Sequence, residues 1–132
     1  ACLVGSEMCI RDRVQIDKGF LSEQEKETVL NLCKYSVVNG SHTVMGEILG
    51  SHAKPIIGIP IYDEHTNQIE WTKEKKLGLF ARNRVQIAEA VREMHENYEE
   101  FTDSVKEFSR NFNGNGVSNT AKIVSEILED KK

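Results

Sequence analysis

Apolar and polar positions along this chain switch between a short, strand-like pattern and a helical one, and each switch marks an element boundary. Val14-Gln15-Ile16 is a short strand candidate, followed by a Gly19-Phe20 turn. Ser22-Glu23-Gln24-Glu25 spells a capping box: Ser22 caps a helix and Glu25 reaches back to it. Val29, Leu30 and Cys33 form the apolar stripe of that helix. Tyr35-Ser36-Val37-Val38 reads as a buried strand that stops at the small-residue turn Asn39-Gly40-Ser41. A helix from about His42 to Leu49 follows, with Val44, Met45, Ile48 and Leu49 as its apolar positions. Pro55-Ile56-Ile57-Gly58-Ile59-Pro60-Ile61 has no polar residue, as expected of a parallel strand covered on both faces. Pro60 ends it, because proline cannot donate to a ladder.

The pattern next predicts a polar loop over residues 62–67 and a helix from about Gln68 to Leu77. Gly78-Leu79-Phe80 is a short strand at most. Val85, Ile87, Ala88, Val91 and Met94 mark another helix, and residues 98–112 one more. Asn113-Gly114-Asn115-Gly116 is a turn. The last helix carries Ala121, Ile123, Val124, Ile127 and Leu128 and ends in a solvated Glu129-Asp130-Lys131-Lys132 tail. Strands alternating with helices imply an α/β fold, a Rossmann-like parallel sheet flanked by helices. Ligands of such sheets bind outside the carboxyl ends of the strands. The loops at 39–43 and 62–67 both follow strands, so they are expected at one edge.

Residues 1–13 stand apart. Leu3-Val4-Gly5-Ser6-Glu7-Met8-Cys9-Ile10-Arg11-Asp12-Arg13 has no hydrophobic period and no turn logic. It resembles the translation of a transposase-type sequencing adapter, and is set aside as an artefactual leader. Residues 14–132 are then the biological domain, read as a fragment of a longer protein. Glu7, Asp12, Arg11 and Arg13 cancel, so the net charge of −4 belongs to that domain. A mildly acidic domain argues against nucleic-acid binding. Cys2 and Cys9 fall in the leader. Cys33 remains alone, so no disulfide framework is expected and a reducing, cytoplasmic compartment is implied. Its phase with Leu30 and Val37 makes it a core thiol. No apolar run approaches the roughly 20 residues that cross a membrane.

The turn at 39–43 carries the chemistry. A strand that stops at small residues and enters a helix directly aims backbone N–H groups and the positive helix end at one spot, which suits a phosphate. Glu47 lies about one turn further along the helix. A carboxylate there repels a phosphate placed beside it but accepts two hydrogen bonds from a ribose one step away. Together they make a nucleotide-binding arrangement.

These residues resemble the nucleotide-sugar half of GT-B glycosyltransferases of the UDP-glycosyltransferase and lipid-linked-sugar type. The family pattern is a strand, a Gly-rich turn, a helix carrying Glu, a Gly-Lys-Pro strand ending in Pro, and a segment with an acid, a Gln or His, and a nearby Asn or Gln. Here it reads Val37 to Val44, Glu47, Ala53-Lys54-Pro55 to Pro60, and Asp63-Glu64-His65-Thr66-Asn67-Gln68. Asn39 stands where many relatives have His, Ser41 replaces a Gly, and His65 stands where Gln is common. The resemblance implies that Asn39, Gly40, Ser41, His42 and Thr43 line the diphosphate and that Glu47 holds the ribose. It also implies that Glu64, His65 and Gln68 face the donor sugar, a UDP-sugar. No cofactor and no metal are implied, and no Asp-x-Asp pair is present to hold a divalent cation against a diphosphate.

The implied activity is transfer of the sugar to an acceptor, by a half that is inactive alone. The catalytic base is not identified in this chain; in the family it usually comes from the other domain. The expected partners are the nucleotide-sugar donor and a missing N-terminal acceptor domain or partner subunit. Membrane contact would come only through that missing part or a lipid-linked acceptor. Two alternatives stand: a donor-binding subunit of a split glycosyltransferase, and a sugar-nucleotide epimerase. The epimerases usually show Ser-Gly-Gly and paired acids where this chain has Asn39-Gly40-Ser41 and a single Glu47. Several residues carry a plainer reading. His42 reads equally as a phosphate donor or an exposed helix-start residue, Trp71 as a packing residue before an acceptor contact, and His52 and His95 as surface residues. Gly114 and Gly116 are not followed by Lys-Ser/Thr and form no P-loop. Deleting residues 1–13 is expected to change unfolding free energy by less than about 0.5 kcal/mol, measured by urea denaturation of the full and shortened chains.

Overall fold

The computed structural model describes residues 21–112 and 114–131. The leader, the strand expected at 14–16, the turn at 19–20 and Asn113 lie outside them. The first helix, α1 (Glu23–Leu32), opens on the expected capping box. The Glu25 amide donates to Ser22 Oγ at 3.2 Å and the Ser22 amide to Glu25 Oε2 at 2.8 Å. These bonds favour the ionised acid and lower the Glu25 pKa. Cys33, just past this helix, is buried, with its sulfur 3.6 Å from Ser36 Oγ.

The described residues form an α/β fold with a three-stranded parallel sheet in the order β1-β2-β3: β1 (Ser36–Val38), β2 (Ile56–Gly58) and β3 (Gly78–Phe80). Val37 aligns with Ile57, and Ile57 with Leu79. The two apolar runs read from the sequence are parallel neighbours, as expected. The second is shorter than its composition suggested: the ladder ends at Gly58, and the last bond from this region is Ile59 N–H to Val38 O at 2.8 Å.

Alternate residues of the strands enter two cores. Tyr35, Ile57, Leu79 and Ala81 pack with Ala90 and Met94 of α4 (Arg84–Glu96) on one face. Ile56 packs with Met45, Ile48 and Leu49 of the helix after β1 on the other. The helix α5 (Tyr98–Asn111) supplies Phe101 to the first core and Val105 to the second. On α4 the inward face is Ile87, Ala90, Val91 and Met94, whereas Val85 and Ala88, expected as apolar positions, are exposed.

The helix after β1 starts as α2 (His42–Met45) and widens into a π-helical stretch at Gly46–Ser51, closed by His52 N–H to Glu47 O at 3.1 Å. The end of α5 grips this stretch. Ser109 Oγ donates to Gly50 O at 2.6 Å, and a Cβ at Gly50 would lie 2.5 Å from the Phe112 ring.

The expected loop at 62–67 is corrected. Those residues are the start of α3, which runs Asp63–Glu74, five residues earlier than expected at its start and three residues short at its end. Its buried stripe is His65, Ile69 and Thr72, spaced four and three apart. Two of the three are polar, so the apolar period was hidden. Asp63 and Glu64 in the first turn complement the helix dipole. The last helix, α6 (Gly116–Asp130), follows Gly114 at φ +64° and has no buried residue.

Ile69 is fully buried and lies on the sheet end. A Cβ at Gly58 would come within 2.6 Å of two of its carbons, whereas a Cβ at Gly46 would meet nothing within 4 Å. Gly58→Ala is therefore expected to destabilise the fold by about 1–3 kcal/mol. Gly46→Ala, at a helical φ, should be neutral or stabilising by up to ~1 kcal/mol. Urea denaturation of both variants checks the contrast.

Candidate functional site

The turn at 39–43 joins the carboxyl end of β1 to α2. The Asn39 side chain accepts the Ser41 amide at 3.2 Å, a side-chain turn that a His there could not make in the same way. Gly40 has φ +81°, where a Cβ is strained, and that Cβ would also lie 2.6 Å from Ile69. Ser41 is the N-cap but makes no side-chain cap bond. The first backbone bond closing the helix is Met45 N–H to Ser41 O at 2.9 Å, so the His42, Thr43 and Val44 amides have no intrahelical acceptor. His42 and Thr43 are exposed.

The α3 helix closes on this turn. The space beside Gly40 is bounded by Ile69 and by His65 Cβ, 3.5 Å from where a Gly40 Cβ would be. Gln68 Nε2 lies 3.0 Å from His42 Nδ1. With the amide so oriented, Gln68 donates and the imidazole proton sits on Nε2, leaving an N–H at the turn that could meet an anion. The two segments expected at one edge are thus in contact there.

The remaining residues are placed differently from one another. His65 is 4% exposed; the Ile61 amide approaches its Nδ1 at 3.5 Å, and the Tyr62 ring meets it edge-on at 5.3 Å. Its Nε2 lies 3.8 Å from Glu64 Oε1. Glu64 itself is exposed on the first turn of α3. Glu47 faces α1: its Oε1 lies 3.0 Å from Lys26 Nζ, which also pairs with Glu23 at 2.9 Å. The two carboxylates raise the Lys26 pKa, Glu23 first. Reading the sequence missed Lys26 altogether, since a lysine on a polar helix face carries no signal of a carboxylate on the next helix. It also missed the apolar groove of about 430 Å³ where Trp71 meets Phe108 edge-on at 5.9 Å.

A larger hollow, about 530 Å³, lies at the opposite end of the sheet, between the start of β1 and the α4–α5 junction. There Tyr35 Oη is 3.2 Å from His95 Nε2, and burial pushes the Tyr35 phenol up. So His95, expected as a surface residue, is exposed but paired. Its position at the amino ends of strands makes it the weaker candidate for a ligand of a parallel sheet. Among the described residues no group of three or more His, Cys, Asp or Glu could hold a metal, and no helix is long and apolar enough to cross a membrane.

Comparison with protein-family models, curated proteins and solved structures gave no match. The site therefore stands on its own geometry. Ile69→Ala should cost about 2–5 kcal/mol and release the turn from α3. Amide exchange of residues 40–43 should then quicken more than that of β2, read by hydrogen–deuterium exchange under native conditions.

Proposed function

We propose that residues 14–132 are the donor-binding half of a GT-B-type glycosyltransferase, taking a nucleotide sugar such as a UDP-sugar. The observation that carries the reading is the 39–43 turn. It lies at the carboxyl end of a parallel strand, held by Gly40 against α3, with open first-turn amides and the His42 imidazole beside them. Oriented amides and a positive helix end stabilise a diphosphate both when bound and as a leaving group. In this reading Asn39 shapes the turn, Gly40 lets the backbone approach, and Ser41, His42 and Thr43 meet the phosphates.

Glu47 accepts the ribose hydroxyls, and Lys26, 3.0 Å from its Oε1, orients the carboxylate. Glu64 and Gln68, at the start of α3, take the transferred sugar. His65 acts from beneath, its ring filling the space between the turn and Glu64. The negative Glu64 and Asp63 suit sugar hydroxyls and repel the phosphates, which keeps the diphosphate on the turn side. The base that activates the acceptor belongs to a partner.

One observation favours reading the chain as a donor-binding subunit or domain that works with a second body. Val117, Ile123, Val124, Ile127 and Leu128 of α6 are all exposed. A contiguous apolar stripe of this kind marks an interaction surface.

The test is calorimetry with UDP. Hydrogen bonds to a charged group contribute about 1.5–3 kcal/mol each. Glu47→Ala is therefore expected to weaken UDP by about tenfold or more, whereas Glu99→Ala, at an exposed position of α5, leaves it unchanged. Equal affinities in both variants remove the ribose assignment. No binding of UDP by the unmodified chain removes the donor reading.

A further inference from the structure

A diphosphate at the 39–43 turn brings at least two negative charges to a segment that contains no lysine or arginine. Lys26, on α1, is engaged by the carboxylates of Glu23 and Glu47. His42 is the one side chain of the turn that can become a cation, and it is exposed, so water can supply the proton. Its Nδ1 lies 3.0 Å from Gln68 Nε2. A carboxamide can meet an imidazole in two ways. Its NH₂ donates to the bare Nδ1 of a neutral ring; turned over, its carbonyl accepts from Nδ1–H of a charged ring. The far end of the Gln68 carboxamide, Oε1, is enclosed and has no hydrogen bond. Reversal leaves that end unpaired as well, so the His42 end decides the orientation. A hydrogen bond from an ionised donor is roughly twice as strong as a neutral one. Gln68 therefore suits both charge states of His42 and gives the charged one the stronger bond.

We propose that the anion and a proton bind this turn together: His42 becomes an imidazolium when the diphosphate arrives, and Gln68 reverses its carboxamide to accept from Nδ1–H while Nε2–H faces the anion. The identity of the anion rests on the donor reading. A diphosphate beside the ring favours the charged form. The proton is taken from solvent and returned when the anion leaves. Gln68 is a positioning residue in this scheme, acting on the diphosphate through His42. The other ionisable groups around the turn are Asp63, Glu64 and His65 on α3, Glu47 on the helix of His42 itself and Lys26 on α1. The α5 helix faces this region with Phe108. Of these side chains only His65 is of a type that titrates near neutral pH. Linkage gives the sign: the bound state holds more protons than the free state. Affinity is therefore highest where even the free ring is charged. It falls as pH rises and levels off once the bound ring is neutral.

The test follows the His42 ring of the full chain by nuclear magnetic resonance from about pH 5 to 8, alone, with UDP and with inorganic diphosphate. The His42 signal is assigned by its loss in His42→Gln. Either anion is expected to carry the midpoint of the His42 titration to higher pH. Calorimetry then compares UDP affinity of the unmodified chain with that of His42→Gln, a ratio from which the titration of UDP itself cancels. The ratio is expected to fall at least about threefold across the range. Gln68→Met, which cannot accept, should flatten the fall; Gln68→Glu, a permanent acceptor, should move it to higher pH; His65→Gln should keep it. A His42 titration unmoved by both anions overturns the proposal. So does a fall unchanged in Gln68→Met, because Gln68 is then only structural, or a fall lost in His65→Gln, because the proton is then on His65. A shift with inorganic diphosphate but no binding of UDP keeps the proton link and removes the donor reading. UDP binding with an unmoved His42 does the reverse.

Discussion

The site depends on one contact: the Ile69 side chain pressed onto two glycines at the carboxyl ends of β1 and β2. Gly40 and Gly58 each leave room for it, and a Cβ at either would lie 2.6 Å from Ile69 carbons. Because Ile69 can descend that far, α3 rests directly on the sheet edge. His65, one turn earlier, then lies against Gly40, and Gln68 reaches His42. The burial of one branched side chain thus fixes the distance between the phosphate-like turn and the segment proposed to read the sugar. Positive φ at Gly40 serves the same end, since it turns the chain from the strand into α2 without lifting the backbone off α3.

Charge around the turn is arranged in two layers. Lys26 and Glu47 pair on the α1 side, and Glu64 and Asp63 occupy the first turn of α3. Between them the turn itself carries no acidic side chain, only amides, hydroxyls and the His42 imidazole. A dianionic group placed there meets the positive ends of dipoles and avoids carboxylates on both flanks. The Lys26–Glu47 pair is half-exposed and open to screening, and such pairs contribute little to stability. Its consequence is orientation, because it holds the Glu47 carboxylate toward α1.

The π-helical stretch links the site to the body of the domain. Gly46 and Gly50 lower the helical propensity of this segment, and the helix widens there. The freed carbonyl of Gly50 is taken by Ser109, and Phe112 covers the glycine itself. The end of α5 is in this way bound to the helix whose beginning forms the turn. Widening also sets the apolar groove: Gly46 opens its wall while Met45 and Leu49 stay on the core side. Apolar cover on α6, by contrast, has no counterpart among the described residues.

Local sequence was enough for the elements governed by local physics. The capping box set the start of α1, unbroken apolar runs set two parallel strands, and the small-residue turn set the passage from β1 into α2. The resemblance to nucleotide-sugar-binding halves also rested on local motifs, and so named the turn, Glu47 and the 63–68 segment together. What the sequence could not determine were the facts that arise when distant segments meet. Residues 62–67 looked like a loop because their polar side chains face either water or, for His65, a pocket that exists only once α3 lies on Gly40. Trp71 gave no sign of an open groove, since that groove is the gap between two helices and an absent side chain at Gly46. Lys26 became a partner of Glu47 only when α1 packed beside α2. A one-dimensional pattern records which side chains are apolar and at what period; it does not record which neighbour from elsewhere in the chain will satisfy, bury or expose them. Tertiary packing decides that through close contacts such as Ile69 on its two glycines.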